Sequence, residues 1–502
     1  MPQLLLRIHE TDNVAVALAP LQRGLVVNGL TLADDVPQAH KVAIRPIRAG
    51  QGVIKYGYPI GIASRDIAPG QHVHSQNVES GLRENLADLK YNATPARQRS
   101  SESAAAGLTF SGFRRPDGKV GTRNEIWIVN TVGCVNHASQ RIAEAASKEL
   151  AARGSTIEGV HAFPHPFGCS QLGDDLSYTQ RVLAGLVHHP NAAAVLVLGL
   201  GCENNQMKLF LEQVGRVDPG RVKYFNAQEV GDEVESGIEA INALADYAAQ
   251  FRRTEVPIGE LMLGMKCGGS DGFSGITANP LVGRVADRMC DAGATTLLTE
   301  VPEMFGAEQV LLDRAADENT FRATIKLVNE FRDYFRRYGQ PIDENPSPGN
   351  KDGGITTLAE KSLGCVQKGG RAMVRQILDY GRPATPGLGG LALINAPGND
   401  GVSSTAMTIA GAHLILFTTG RGTPMGFPAP TIKIATNSSL AQRKPQWIDF
   451  DAGLLTGGEV TIDQLADQLL DLVVDVASGR RRAKNEQHGY REIAIWKNGV
   501  TL

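Results

Sequence analysis

The feature that constrains this chain most is a repeated unit: an apolar, β-branched run, a glycine-punctuated loop carrying reactive side chains, then a helical pattern. Its fullest example is Phe163-Pro-His-Pro-Phe-Gly-Cys-Ser-Gln-Leu-Gly-Asp-Asp175. An apolar stretch over residues 156–162 precedes it, and a helix-like pattern over 176–187 follows. Two prolines and two glycines forbid regular structure between them, so the segment reads as a strand-to-helix loop. In parallel sheets such loops open at the carboxyl ends of strands, where ligands bind. This one holds an imidazole, a thiol, a hydroxyl, an amide and two carboxylates. Asp174 and Asp175 are equally well placed to cap the next helix.

The unit recurs along the chain. Apolar runs at 126–132, 194–200 and 222–226 precede helical patterns at 138–153, 204–214 and 233–251. A second set begins near residue 260, with strands expected at 260–265, 295–301, 391–395, 414–417 and 431–435. Helices are expected there at 280–291, 308–316, 321–337 and 462–477. Such alternation predicts an α/β fold of parallel, doubly wound sheets. Cysteine follows glycine at Cys134, Cys169, Cys202 and Cys365, and Cys267 closes another strand. Five of the six cysteines are therefore expected to line one crevice, with Cys290 in the core. No Gly-x-Gly-x-x-Gly follows the first strand, and no phosphate-binding Gly-x-x-x-x-Gly-Lys run occurs.

Residues 1–92 differ: short apolar runs broken by Gly, Pro and Asp predict a small β-rich module. His72 and His74 alternate there, so on a strand both imidazoles project from one face. Residues 93–109, poor in large apolar side chains, read as a flexible linker. Two α/β domains follow, at 110–255 and 256–502, as expected for 502 residues. The irregular stretch 339–354 is Pro- and Gly-rich and reads as a lid or binding segment. Fifty basic residues against 53 acidic ones, with no basic block, argue against nucleic acid or an anionic membrane as partner. Apolar runs fall short of the roughly 20 residues a membrane helix needs. Six cysteines outside any disulfide framework point to the cytoplasm.

Longer motifs carry a resemblance. Gly121-Thr-Arg-Asn-Glu125, Val132-Gly-Cys-Val-Asn136, Phe167-Gly-Cys-Ser-Gln-Leu-Gly-Asp-Asp175 and Gly199-Leu-Gly-Cys-Glu-Asn-Asn-Gln206 are similar to motifs of the altronate dehydratase family. So are Cys267-Gly-Gly-Ser-Asp-Gly272, Ile276-Thr-Ala-Asn-Pro280, Thr299-Glu-Val-Pro-Glu-Met-Phe-Gly-Ala-Glu308, Glu344-Asn-Pro-Ser-Pro-Gly-Asn350, Gly420-Arg-Gly-Thr-Pro424 and Lys433-Ile-Ala-Thr-Asn437. The N-terminal module, with Lys55-Tyr-Gly57 and His72-Val-His74, resembles the SAF-type domain that begins such enzymes. The resemblance implies a hydro-lyase converting D-altronate to 2-dehydro-3-deoxy-D-gluconate and water in galacturonate breakdown. Galactarate, another aldonate or aldarate, and a sulfolactate sulfo-lyase-like reaction are the alternatives it leaves. It also implies Fe2+ as cofactor, with Mn2+ as a substitute.

The residue types suit that chemistry. Removing the C2 proton of a 2,3-dihydroxy acid is hard because the carboxylate resists further negative charge. A divalent cation on the carboxylate and C2 hydroxyl offsets this. His72 and His74, with Cys134 or Cys169, are the expected ligands. His165 is the expected base, with Lys55 as second choice; otherwise His165 braces its loop. Arg421 is expected to hold the substrate carboxylate. Ser270, Asp271, Asn279 and Asn204 are expected to face sugar hydroxyls. The expected partners are a small sugar acid and, as an open option, further copies of the chain. A different class, an iron–sulfur protein or a non-catalytic sugar-acid binder, uses the same thiols and loops.

Overall fold

The computed structural model describes residues 3–83, 86, 89–91 and 104–499. Most of the expected linker lies outside the described residues.

The N-terminal module is antiparallel, as its short runs and turn residues dictate. One sheet joins Leu5–Leu6, Val14–Ala17, Lys41–Ala43 and His72–Val73 in that order. A second joins Gly52–Lys55, Tyr58–Ala63 and Val78–Glu79. Val73 is buried between half-buried His72 and His74, the alternation the sequence implies.

Strand Thr109–Arg114 pairs antiparallel with Arg253–Pro257, clasping the entry and exit of the next unit. That unit is a parallel sheet of β1 (Glu125–Asn130), β2 (Val160–Ala162), β3 (Ala192–Gly199) and β4 (Val222–Asn226), in the order β2-β1-β3-β4. Every residue of β1 and β3 is buried, as parallel strands covered on both faces require.

The C-terminal unit is built on seven parallel strands: β5 (Met262–Cys267), β6 (Thr295–Leu298), β7 (Val374–Leu378), β8 (Gly390–Ile394), β9 (Leu414–Thr419), β10 (Thr431–Ala435) and β11 (Phe450–Asp451). Their order is β7-β8-β6-β5-β9-β10-β11. The chain leaves β5 toward one edge and returns on the other side at β9, so the switch point lies between the carboxyl ends of β5 and β9.

The helix Ile462–Ala477 starts on a Thr461/Gln464 capping box, its expected bounds. Among the elements that lack a sequence expectation are β7 and the helices Asp400–Ile409 and Leu358–Cys365. Leu358–Cys365 is buried at every position, polar residues included, so it has no amphipathic period to read.

The module docks on this unit. Strand Tyr58–Ala63 packs against Leu358–Cys365, and the Lys41 ammonium donates to the Gly354 carbonyl at 2.7 Å. Gly272 and Gly354 have no room for a Cβ because the Ala39 carbonyl presses on both. Among the described residues no helix is long and apolar enough to cross a membrane.

Candidate active site

Three groups of chemically active side chains emerge, one in each part of the chain. At the carboxyl edge of the smaller parallel sheet, Cys134, Cys169 and Cys202 are exposed. The loops that carry them are braced from within. Glu203 is buried, accepting from the Thr131 hydroxyl at 2.5 Å and from the Leu200 and Gly201 amides. Asn204 accepts from the Ser170 amide at 2.7 Å.

His165 belongs to the same bracing. Its Nδ1 accepts from the Phe167 amide at 3.2 Å, which leaves the proton on Nε2, donated to the Asn130 carbonyl at 2.9 Å. Burial lowers its pKa, so it stays neutral with both nitrogens engaged. This geometry favours the loop-bracing alternative for His165 over the expected base. Asp175 is no cap either: its buried carboxylate accepts from the Asn498 and Gly499 amides and pairs with Lys497, tying down the C-terminal tail.

The second group sits at the end of β5. The Cys267 and Cys365 sulfurs lie 3.2 Å apart, and a Glu303 carboxylate oxygen is 3.2 Å from one and 3.0 Å from the other. Lys368 reaches Cys267 at 2.7 Å and Glu300 at 2.9 Å. Lys266 pairs with Glu300 and with Asp400, and Lys361 pairs with Glu303 at 2.9 Å. Glu300 holds φ +66°, a strained backbone for a non-glycine residue. The five pairable cysteines therefore form two sets on different sheets. The expected single crevice is corrected: Cys365 ends a helix, and only Cys267 follows a strand on that sheet.

The third group is where module and body meet. His40, His72 and His74 gather with ring centroids 4.9 to 5.7 Å apart. His40 Nδ1 and His72 Nε2 are 3.0 Å apart, and His74 Nδ1 lies 3.0 Å from the Thr356 hydroxyl. Burial, then the charges of His40 and Lys41, hold His72 down to about 4 and His74 to about 3, so all three rings are neutral near pH 7.

Beside them, Glu360 takes Lys41 at 2.9 Å and Lys55 at 2.8 Å, all three fully buried. One carboxylate neutralises one ammonium. Burial opposes the Lys55 charge, yet Glu360 overrides it and holds that amine well above its ordinary value. For Lys41 burial wins, bringing it down to about 8. Paired with Glu360, Lys55 stays a buried cation, which disfavours it as an alternative base. A narrow crevice of about 10 Å³, room for about one water, adjoins this trio, lined by Tyr56, Ser270, Asp271, Ser274, Asn279, Glu360, Lys361 and Cys365 among others. A larger cleft of about 550 Å³, around Asp117, His188 and Gly411, lies between the α/β units, away from these groups.

The expected binding residues divide accordingly. Ser270, Asp271 and Asn279 share the crevice wall. The Asp271 carboxylate is largely taken up by Ser274, Thr436 and Asn437, and Asn279 by Gly364 and Thr418. Arg421 is exposed beside Gly269, which accepts from its backbone amide at 3.1 Å. Asn204 belongs to the distant smaller sheet. The expected ligand set is likewise divided: His72 and His74 find their third imidazole in His40, and Cys134 and Cys169 do not join them. Among the described residues the one set of three ligand atoms all within 4.8 Å is Cys267, Glu303 and Cys365. His40 carries no motif signal. Only its place immediately before Lys41–Ala43, the strand paired with His72–Val73, brings it there.

Three family models cover the chain. Residues 3–81 match the altronate/galactarate dehydratase SAF domain. Residues 112–249 match the second domain of D-galactarate dehydratase/altronate hydrolase, and residues 258–501 the C-terminal domain of D-galactarate/altronate dehydratase. The chain is 50% identical to an altronate dehydratase of Escherichia coli (strain K12), over 99% of both chains. It is 45% identical to one of Bacillus subtilis (strain 168), again over 99% of both. A galactarate dehydratase (L-threo-forming) of Escherichia coli is 33% identical, over 98% of this chain and 96% of its own. With every domain matched and full-length relatives at these identities, the chain belongs to the altronate/galactarate dehydratase family.

Proposed function

We propose that this chain dehydrates altronate to 2-dehydro-3-deoxygluconate in the crevice between the N-terminal module and the C-terminal sheet. The observation that carries this reading is the gathering of three neutral imidazoles beside buried Glu360, joined through Thr356, whose hydroxyl meets His74 and whose amide donates to Glu360, with hydroxyl, amide and amine groups lining the narrow crevice beyond. The full-length relatives at 50% and 45% identity support altronate ahead of galactarate.

His40, His72 and His74 are the groups that fit a divalent cation, ferrous iron first and manganese as substitute, because neutral imidazoles need shed no proton to bind it. When bound, such a cation supplies Lewis acidity to the substrate carboxylate and C2 hydroxyl. Glu360 faces the crevice with Lys41 behind it. Against burial, Lys41 and Lys55 hold the Glu360 carboxyl down to about 2, so the base of this pair is the Lys41 amine, which burial brings down to about 8 and which takes the C2 proton in its neutral form. Tyr56 lines the crevice and burial keeps its hydroxyl protonated, so it is the donor to the departing C3 hydroxyl. The C2–H and C3–O bonds break, the C2–C3 double bond forms, and water leaves. The enol then becomes the 2-keto acid. Ser270, Ser274 and Asn279 orient the hydroxyls, and Arg421 at the rim takes the far end of the chain.

All six cysteines are free thiols, which fits a reducing compartment, and the cytoplasm is the proposed location. Tyr56→Phe tests the mechanism. Loss of one acid–base group lowers kcat about 10²–10⁴-fold, with metal content unchanged. A near-normal kcat removes Tyr56 from the mechanism.

A further inference from the structure

The steps proposed above use none of Cys267, Cys365 and Glu303, although Cys365 reaches the crevice wall, and the three are closely packed. Their ligand atoms lie 3.0 to 3.2 Å from one another, and both Glu300 oxygens lie within 3.9 Å of the Cys267 sulfur. The donors arrive from three separate places: the end of β5, the turn after β6, and the last residue of helix Leu358–Cys365. All are buried. Burying polar donors costs free energy unless a partner satisfies them, and two sulfurs this close without a bond gain little from each other.

The surrounding charge says what partner fits. Lys266, Lys361 and Lys368 balance Glu300, Glu303 and Asp400 one for one. Two ionised thiols then leave two uncompensated negative charges, which a single divalent cation matches. Thiolate and carboxylate donors in a closed, dry position are the pattern of a structural site for a thiolate-preferring metal.

We infer that Cys267, Cys365 and Glu303 form a second metal site, separate from the imidazole trio, for a thiolate-preferring divalent cation such as zinc. Binding releases the two thiol protons to solvent and forms two metal–sulfur bonds and one metal–oxygen bond, with Glu300 placed to complete the set. The bound ion joins the β5 loop to helix Leu358–Cys365, fixing the floor of the crevice. The inference does not depend on the substrate or on the dehydration reading.

Cobalt(II) is the probe. The full-length protein is stripped with chelator under reducing conditions and titrated with Co2+. A thiolate-to-cobalt charge-transfer band should saturate at one equivalent. It should vanish in Cys267→Ser and Cys365→Ser and persist in His72→Asn and Cys134→Ser. Where a serine variant does not fold, Glu303→Gln should retain the band and weaken Co2+ affinity about tenfold or more. Absence of the band, its survival in Cys267→Ser, its loss in Cys134→Ser, or an unchanged affinity in Glu303→Gln overturns the site. So does a thiol count showing that Cys267 and Cys365 form a reducible disulfide in the purified protein.

Discussion

Glu360→Gln is the perturbation that bears most directly on how module and body are joined. Glu360 comes from the body, whereas Lys41 and Lys55 come from the module, and all three side chains are buried. Glutamine keeps the size but removes the charge that both ammoniums share. Lys41, already near about 8, sheds its proton at modest cost. Lys55 cannot: it must keep an unpaired buried charge or give up a proton at pH 7. From an ordinary lysine pKa of about 10.4, that release costs about 4–5 kcal/mol, which caps the penalty. Breaking buried pairs by removing one partner falls in the same range, about 3–5 kcal/mol. Because a chain of several domains need not unfold in one step, the assay is local: hydrogen exchange and limited proteolysis at the module–body interface. Module release should increase by a factor matching that cost, and activity should fall with it. Adding Lys55→Met should restore most of the docking, since the stranded charge is gone. Docking within about 1 kcal/mol of the parent in Glu360→Gln, or no rescue by Lys55→Met, would refute the clamp.

Other expectations follow from the same geometry. His165→Asn should leave kcat within about tenfold, below the range of a lost acid–base group. It should lower stability by about 1–3 kcal/mol, the cost of two backbone groups left without their buried partner; a larger kcat loss with unchanged stability would return His165 to catalysis. Burial holds His413 down to about 4 and His189 to about 3. His189 bonds the Ala412 carbonyl and His413 accepts from the Met262 amide, where the two α/β units meet. The unfolded chain takes up these protons below about 6.5 and the folded one does not. Stability should therefore fall as pH drops below about 6.5, by up to about 3 kcal/mol for His413, whose share levels off below about 4, while that of His189 continues to about 3. A flat denaturation midpoint across that window contradicts it.

Much of the fold was legible because its strands are buried on both faces and bounded by glycine. The runs at 414–417, 431–435 and 462–477 sit within or on the observed elements. The site was less legible, and the reason is physical. His72 and His74 could be paired from strand alternation, but His40 joins them only through antiparallel pairing between distant strands. Glu360 and Cys365 lie on a helix buried all round, which shows no periodicity. A cysteine next to a glycine looks alike wherever it occurs, so Cys267 and Cys365 could not be told from the exposed Cys134, Cys169 and Cys202. The crowded loop at His165 looked like a reaction centre, but much of its polar chemistry is spent holding backbone. The stretch 339–354, read as a binding segment or lid, contributes the short helix Pro348–Asp352 and the Asp352 carbonyl that meets His40.

The central claim is metal-dependent dehydration of altronate, and one measurement addresses it most directly. Chelator-treated protein, handled without oxygen, is assayed for 2-keto acid formation from altronate before and after addition of Fe2+. The account predicts no turnover before, recovery on adding Fe2+, and a higher kcat/KM for altronate than for galactarate. It also predicts no recovery in His40→Asn or His72→Asn. Full turnover in verified metal-free protein, or Fe2+-restored activity that survives both substitutions, would contradict it.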